Sequence, residues 1–222
     1  MENSLFKFNK NVFLIPILAV VTIWLIYFIE IKYEFNFNKW GIYPKSFKGL
    51  RGVFLSPLIH SDSKHLINNT VPLAVLLSGL YFFYQKIATK VLLSGLLFTG
   101  ILTWSFARPA YHIGASGVIY FLVSFIFFSG IFRKYYRLVA LSLIVVFLYG
   151  SMVWYILPVE ERISWEGHLS GFLVGFVFAF LFRRMGPQTE KFEFSENEEF
   201  DQLFDAEGNF NPPVKNEDED EE

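Results

Sequence analysis

Residues 114–133 read GASGVIYFLVSFIFFSGIFR, and residues 165–182 read WEGHLSGFLVGFVFAFLF. Each begins with small and polar residues and then stays apolar for close to the length of a bilayer crossing. The apolar residues come in blocks, not in the one-sided stripe of a helix resting on a soluble core. A spanning helix needs roughly 20 mainly apolar residues, with ~17–25 tolerated. Working outward, six spans are read, at residues 12–29, 65–84, 91–107, 116–132, 138–156 and 168–182. The second and sixth open on polar residues and are shorter in purely apolar terms. The pattern predicts an all-α polytopic membrane protein, with a six-helix bundle over residues 11–185, a short cytoplasmic N-terminus at 1–10 and a tail at 186–222.

Composition points the same way. The chain is 53% hydrophobic and 20% aromatic, with 28 Phe. A soluble domain is usually nearer ~45–50% apolar even with glycine counted. There is no cysteine, which excludes a disulfide framework, thiolate chemistry and a cysteine metal site. The first apolar run, from Val12 to Ile29, exceeds the ~7–15 residues of a signal-peptide core, and no small-x-small cleavage site follows it. It is read as a retained helix.

The net charge of −2 conceals an asymmetry. Residues 190–222 carry 14 of the 21 acidic residues and two bases, whereas residues 1–189 carry 17 bases and 7 acids. The tail, with Pro187, Pro212, Pro213 and a terminal NEDEDEE, has little to bury and repels itself, so it is expected to be disordered. Its short patch FDQLFDAEGNF is a candidate weak docking motif against a background of solvated tail. Lys7 and Lys10, Lys86 and Lys90, Arg133, Lys134 and Arg137, and Arg183 and Arg184 all fall on one side of a six-span arrangement. By the excess of bases on cytoplasmic loops, that side is the cytoplasm and both termini lie there. The first outward loop is also basic, but it mixes its bases with Tyr, Phe and Trp, as segments at the lipid headgroups do.

This topology puts Ser116 and His168 at similar depth, near the outer ends of the fourth and sixth spans. Polar groups within a membrane are costly and read as functional by default. A serine hydroxyl becomes a nucleophile when a base takes its proton, and histidine is the usual base near neutral pH. Ser116 also opens a helix, where unpaired N–H groups favour developing negative charge. Tyr120, four residues on, shares its face and can pack against an imidazole. Gly171 and Gly175 follow His168 by three and seven residues, and small residues at that spacing let membrane helices touch through their backbones; Gly117 serves the fourth span likewise. An acyl-transfer site also needs oxyanion donors. His65 and Asn69, spaced i, i+4 at the outer end of the second span, are candidates, together with the backbone N–H groups of Ala115 and Ser116. Each motif alone is ordinary helix packing more often than chemistry. Their joint arrival at the outer ends of three helices carries the inference.

These residues resemble a rhomboid intramembrane serine protease: Gly114-Ala115-Ser116-Gly117 with Tyr120, His168 with Gly171 and Gly175, and His65-x-x-x-Asn69 preceded by His60. Arg51 stands where that family often has an arginine in its first loop. The resemblance covers roughly residues 10–185 in the same helix order. It implies a six-helix rhomboid-like bundle of the basic bacterial form, with Ser116 as nucleophile and His168 as base, without an aspartate. It further implies that His65, Asn69 and backbone N–H groups around Gly114 and Ala115 hold the oxyanion, that Tyr120 stacks on His168, and that the fifth span, with Tyr149, Gly150, Trp154 and Tyr155, is a lateral gate. The sequence departs from the family in having Gly167, preceded by Glu166, where alanine is common before the histidine.

The expected activity is hydrolysis of peptide bonds in or beside transmembrane segments, in a bacterial plasma membrane, from a site opening outward. No cofactor, no metal and no nucleic acid is expected. The partners are transmembrane substrates and the bilayer itself, and the oligomeric state is left open. His60, Asp62 and His65 cluster in one short stretch and are not read as a metal site. His112 is read as a loop or interfacial histidine. Two other classes stand beside this one. A non-catalytic rhomboid-like escort would be expected to lack the serine or histidine, and a small proton-coupled transporter would be expected to show paired halves or broken helices.

Overall fold

The computed structural model describes residues 9–148, 154–160, 163–186, 200 and 202–211. It divides into two units, residues 1–189 and 190–222. The first unit is helical, and among the described residues it holds only one isolated bridge, Ile42 to His112, with no strand. Its helices are α1 (Asn11–Lys32), the single turn α2 (Gly52–Leu55), α3 (Ser63–Phe83), α4 (Ala88–Phe106), α5 (Ser116–Arg133), α6 (Tyr136–Leu148) and α7 (Trp165–Leu181). Four of them, α1, α3, α4 and α5, are long and apolar enough to cross a bilayer by length and composition. The other two apolar helices are shorter, with 13 residues in α6 and 17 in α7. A wide exterior of Phe13, Ile17, Leu25, Phe28, Leu93, Phe147, Val177 and Leu181 faces outward. A soluble surface does not carry such a patch, and lipid does not penalise it.

Helix boundaries differ from the sequence expectation where polar residues hide a helical turn. α3 starts at Ser63 because Asp62 caps it, its Oδ1 accepting the His65 N–H at 2.8 Å. That bond, and the Ser61 hydroxyl donating to Oδ2 at 2.7 Å, hold the Asp62 carboxyl below its ordinary pKa. α7 begins at Trp165, so His168 lies one turn inside the helix, not at its start. The fifth span was expected to reach residue 156. The described helix ends at Leu148 and Trp154–Ile156 forms a separate tight turn, while Tyr149 and Gly150 lie outside the described residues.

α5 is the centre of the bundle. Phe121, Leu122, Phe125 and Ile126 are fully buried, whereas α1 buries only Val12, Pro16 and Ile23. α7 packs on α5 along its small residues. A Cβ built on Gly171 would lie 2.1 Å from the Gly117 carbonyl oxygen, and one on Gly175 would lie 2.5 Å from the Phe121 carbonyl oxygen. Only hydrogen fits there. In lipid there is no hydrophobic drive to pair helices, so van der Waals fit at such small-residue contacts carries the association. Ser124 adds a bond across the seam, its hydroxyl donating to the Phe172 carbonyl at 2.7 Å.

Arg133, read from the sequence as a topology signal, is buried at the other end of this seam. Its guanidinium donates to Tyr84 Oη at 3.2 Å and to the Phe182 and Met185 carbonyls, closing the C-terminal end of α7. Those carbonyls lie at and just beyond the C-terminal end of α7, where helical partners run out. Arg133→Met should lower the thermal midpoint in detergent by an amount equivalent to ~1–3 kcal/mol; an unchanged midpoint would show that water serves these carbonyls as well.

In the second unit, residues 202–211 form a tight turn. Asp205 Oδ1 accepts the N–H of Glu207 at 3.1 Å and of Asn209 at 2.8 Å, and Phe204 bridges to Phe210 with their rings 5.6 Å apart. The rest of the tail expected to be disordered, apart from Gly186 and Phe200, lies outside the described residues.

Candidate active site

The loop 107–115 brings α5 up to the cleft at the N-terminal ends of α3 and α7. Its last turn needs glycine: Gly114 has φ +105°, and a Cβ there would lie 2.6 Å from the His65 ring. Its N–H donates to the Ser56 carbonyl at 2.8 Å, so Gly114 shapes the site and has no N–H left for a ligand.

Ser116 is the first residue of α5 and is half-buried. Its Oγ lies 2.8 Å from His168 Nε2. The other ring nitrogen of His168, Nδ1, lies 2.8 Å from the Tyr155 carbonyl oxygen. A carbonyl can only accept, so Nδ1 carries the ring proton and Nε2 presents its lone pair to the Ser116 hydroxyl. The Tyr120 ring stacks on the imidazole, with centroids 4.3 Å apart and planes 17° apart. His168 is thus held at one nitrogen and on one face, with the second nitrogen aimed at the hydroxyl. The contribution of Tyr155 had no sequence signal, because it acts through its backbone.

His65 and Asn69 line the same cleft as Ser116 and His168. The Asn69 side-chain nitrogen is buried and has no hydrogen-bond partner, which makes it a donor in waiting. His65 is wired differently. The Ser61 hydroxyl is already donating to Asp62, so toward His65 Nδ1 at 3.3 Å it is an acceptor. This places the neutral ring's proton on Nδ1, away from Gly114, and makes Asn69 the side-chain donor with no competing bond. The N–H groups of Ala115 and Ser116 lie at the unpaired start of α5. His60 packs edge-on against His65 at 5.0 Å, and burial, aided by the His65 charge, lowers its pKa to about 4. It is a neutral spacer near pH 7.

The cleft encloses about 1500 Å³ and has a polar lining that includes Asn68, Asn69, Arg108, His112 and Glu160. Pro72 lies on its wall and has no N–H to give the Asn68 carbonyl one helical turn back, which leaves a polar group on the cleft side. Non-helical backbone at membrane depth is tolerated where it lines such a wet space. Among the described residues, no group of three or more His, Cys, Asp or Glu side chains could hold a metal ion.

The sequence set His112 aside, yet the structure buries it beside the site. Its Nδ1 lies 2.6 Å from Ser164 Oγ and its Nε2 3.1 Å from the Arg108 carbonyl oxygen. Burial holds its pKa below the ordinary value. Glu166, also buried, takes the Arg108 backbone N–H on Oε1 at 3.3 Å and the Arg108 guanidinium at 3.7 Å.

Comparison with known proteins adds the lineage. Residues 48–185 match the family model described as Rhomboid domain. Uncharacterized proteins of Mycobacterium tuberculosis and Mycobacterium bovis are each 37% identical over 155 residues, 64% of this chain and 62% of theirs. One from Mycobacterium leprae is 33% identical over 147 residues, 60% of this chain and 56% of its own. The chain thus spans less than two thirds of the length of these relatives.

Proposed function

On the footing that the chain belongs to the rhomboid family, whose domain matches more than half of it, we propose that it is an intramembrane serine endopeptidase cutting other membrane proteins in or beside a transmembrane segment. The observation that carries this is the contact of Ser116 Oγ with His168 Nε2 at 2.8 Å, with the tautomer set by the Tyr155 carbonyl. In the proposed reaction Nε2 takes the Ser116 proton as Oγ bonds to the substrate carbonyl carbon. The resulting imidazolium keeps its Nδ1–H on the Tyr155 oxygen, a partial charge where other serine hydrolases place a carboxylate. Asn69 and the N–H groups of Ala115 and Ser116 would hold the oxyanion. The amine leaves with the proton from Nε2, and water from the cleft then cleaves the acyl ester by the same relay.

The substrate class follows from access. A helical segment hides its carbonyls in its own hydrogen bonds, so a bond can reach Ser116 only where the substrate unwinds. Segments with Gly or Pro near a small residue are therefore the proposed targets. The Lys and Arg clusters support a cytoplasmic location for both termini, an outward-opening cleft and, for the basic six-helix form, a bacterial plasma membrane. The intact serine and histidine weigh against a non-catalytic escort.

The decisive assay reconstitutes the full chain in lipid vesicles with a single-span substrate and reads the cleavage site by mass spectrometry. Cleavage within or beside the span, with fluorophosphonate labelling of Ser116, is the expected result. An inert protein toward both reagents would overturn the proposal. Asn69→Ala should lower kcat roughly 100-fold with little change in KM, since an oxyanion donor acts in the transition state; an unchanged kcat would remove Asn69 from this role.

A further inference from the structure

The side-chain bonds that Arg108, His112, Ser164 and Glu166 make to one another's segments tie together two short stretches. One is the loop 107–115, which ends at Ser116. The other is the stretch 163–166, which leads into His168. Besides the Glu166 contacts, Arg108 donates from its guanidinium to the Ile163 carbonyl at 2.8 Å. His112 Nε2–H donates to the Arg108 carbonyl, so its Nδ1 accepts the Ser164 hydroxyl at 2.6 Å. Ser164 is the N-cap residue of α7, yet its hydroxyl makes no cap bond and goes to His112 instead. The first turn of α7 is therefore tied outward to the loop. The loop is itself anchored: His112 exchanges backbone bonds with Ile42 at 2.8 and 3.0 Å, and Gly114 bonds Ser56.

His168 sits between two anchors on α7. Behind it, Gly171 meets the Gly117 backbone and fixes how closely α7 approaches α5. That contact, with Gly175 and the Ser124 bond further along, fixes α7 on the C-terminal side of His168. The bonds at 163–166 supply the second anchor. We propose that Arg108, His112, Ser164 and Glu166 form a latch of positioning residues that sets the reach of His168 toward Ser116. The inference rests on Ser116 and His168 being the hydrolytic pair. The latch touches no reacting atom; its effect is on geometry, where a misplacement of about 1 Å can cost on the order of 100-fold in rate.

The test uses full-length protein in detergent and three readouts: the second-order rate of fluorophosphonate labelling, kcat and KM on a single-span substrate, and the thermal midpoint. Ser164→Ala should slow labelling and kcat by roughly 10–100-fold, with KM within about 2-fold of wild type. Ser164→Thr, which retains the hydroxyl, should restore most of the rate. Wild-type labelling and kcat in folded Ser164→Ala would overturn the latch, as would a folded Ser164→Thr no faster than Ser164→Ala. If Ser164→Ala does not fold, Glu166→Gln decides. It keeps an oxygen for the Arg108 N–H but loses the charge pairing, so labelling and kcat should fall several-fold at constant KM, and wild-type rates would overturn the proposal. A wild-type protein that neither labels nor cleaves would instead remove the hydrolytic pair on which the latch depends.

Discussion

Replacing Ser116 with alanine is expected to lower peptide cleavage by at least ~1000-fold while the bundle stays folded. The serine hydroxyl bonds to His168, and it faces an open polar cleft in which water can take the hydroxyl's place. Stability therefore loses little, and the loss falls on chemistry. His168→Ala should be comparably inactive, because without Nε2 no group receives the proton. The double variant should be no slower than either single one, since residues that act as a unit are strongly non-additive. Rates for the two single variants that multiply in the double variant would show independent roles, and near wild-type cleavage in either single variant would remove the pair altogether.

Gly171→Leu is the second large effect, and it acts on the fold. The added side chain meets the Gly117 carbonyl oxygen at 2.1 Å and the Phe121 nitrogen at 2.9 Å, counted from Cβ alone. Both are backbone atoms of α5, so neither can swing aside as a side-chain tip would. α7 must move away or rotate. The expected cost exceeds the ~1–3 kcal/mol usual for overpacking, seen as a lowered thermal midpoint in detergent. Because His168 lies three residues before Gly171, the same displacement should abolish fluorophosphonate labelling of Ser116. Leu173→Ala on the exposed side of α7 is the control, since Leu173 is 43% exposed; it should change neither readout. A Gly171→Leu protein that melts and labels like wild type would mean that α5 and α7 do not touch at this point.

The helical membrane fold was legible because lipid imposes a simple demand: each crossing must be apolar over a nearly fixed length. The described helices begin and end differently from the apolar runs at particular places. Ser63 and Trp165 begin helices in polar sequence, and at Ser63 capping by Asp62 decides the start. Trp154–Ile156 forms a tight turn within an apolar run whose composition gave no warning of it. Arg133 looked like a surface charge marking the cytoplasmic side, and only the assembled bundle shows the Tyr84, Phe182 and Met185 oxygens that make its burial tolerable.

By itself the amino-acid order determined that this is a helical membrane protein and which side chains have the chemistry for the site, because hydropathy and functional groups belong to single residues. It also indicated that Tyr120 shares a face with Ser116, since helical periodicity is local. Tertiary structure alone decided how these groups are wired. The proton on His168 Nδ1 depends on a backbone carbonyl 13 residues away, and the burial of His112 depends on Ser164, 52 residues away. Such bonds involve backbone atoms and partners distant in the chain, which leave no periodic trace in one sequence and form only when α5 and α7 pack glycine against backbone.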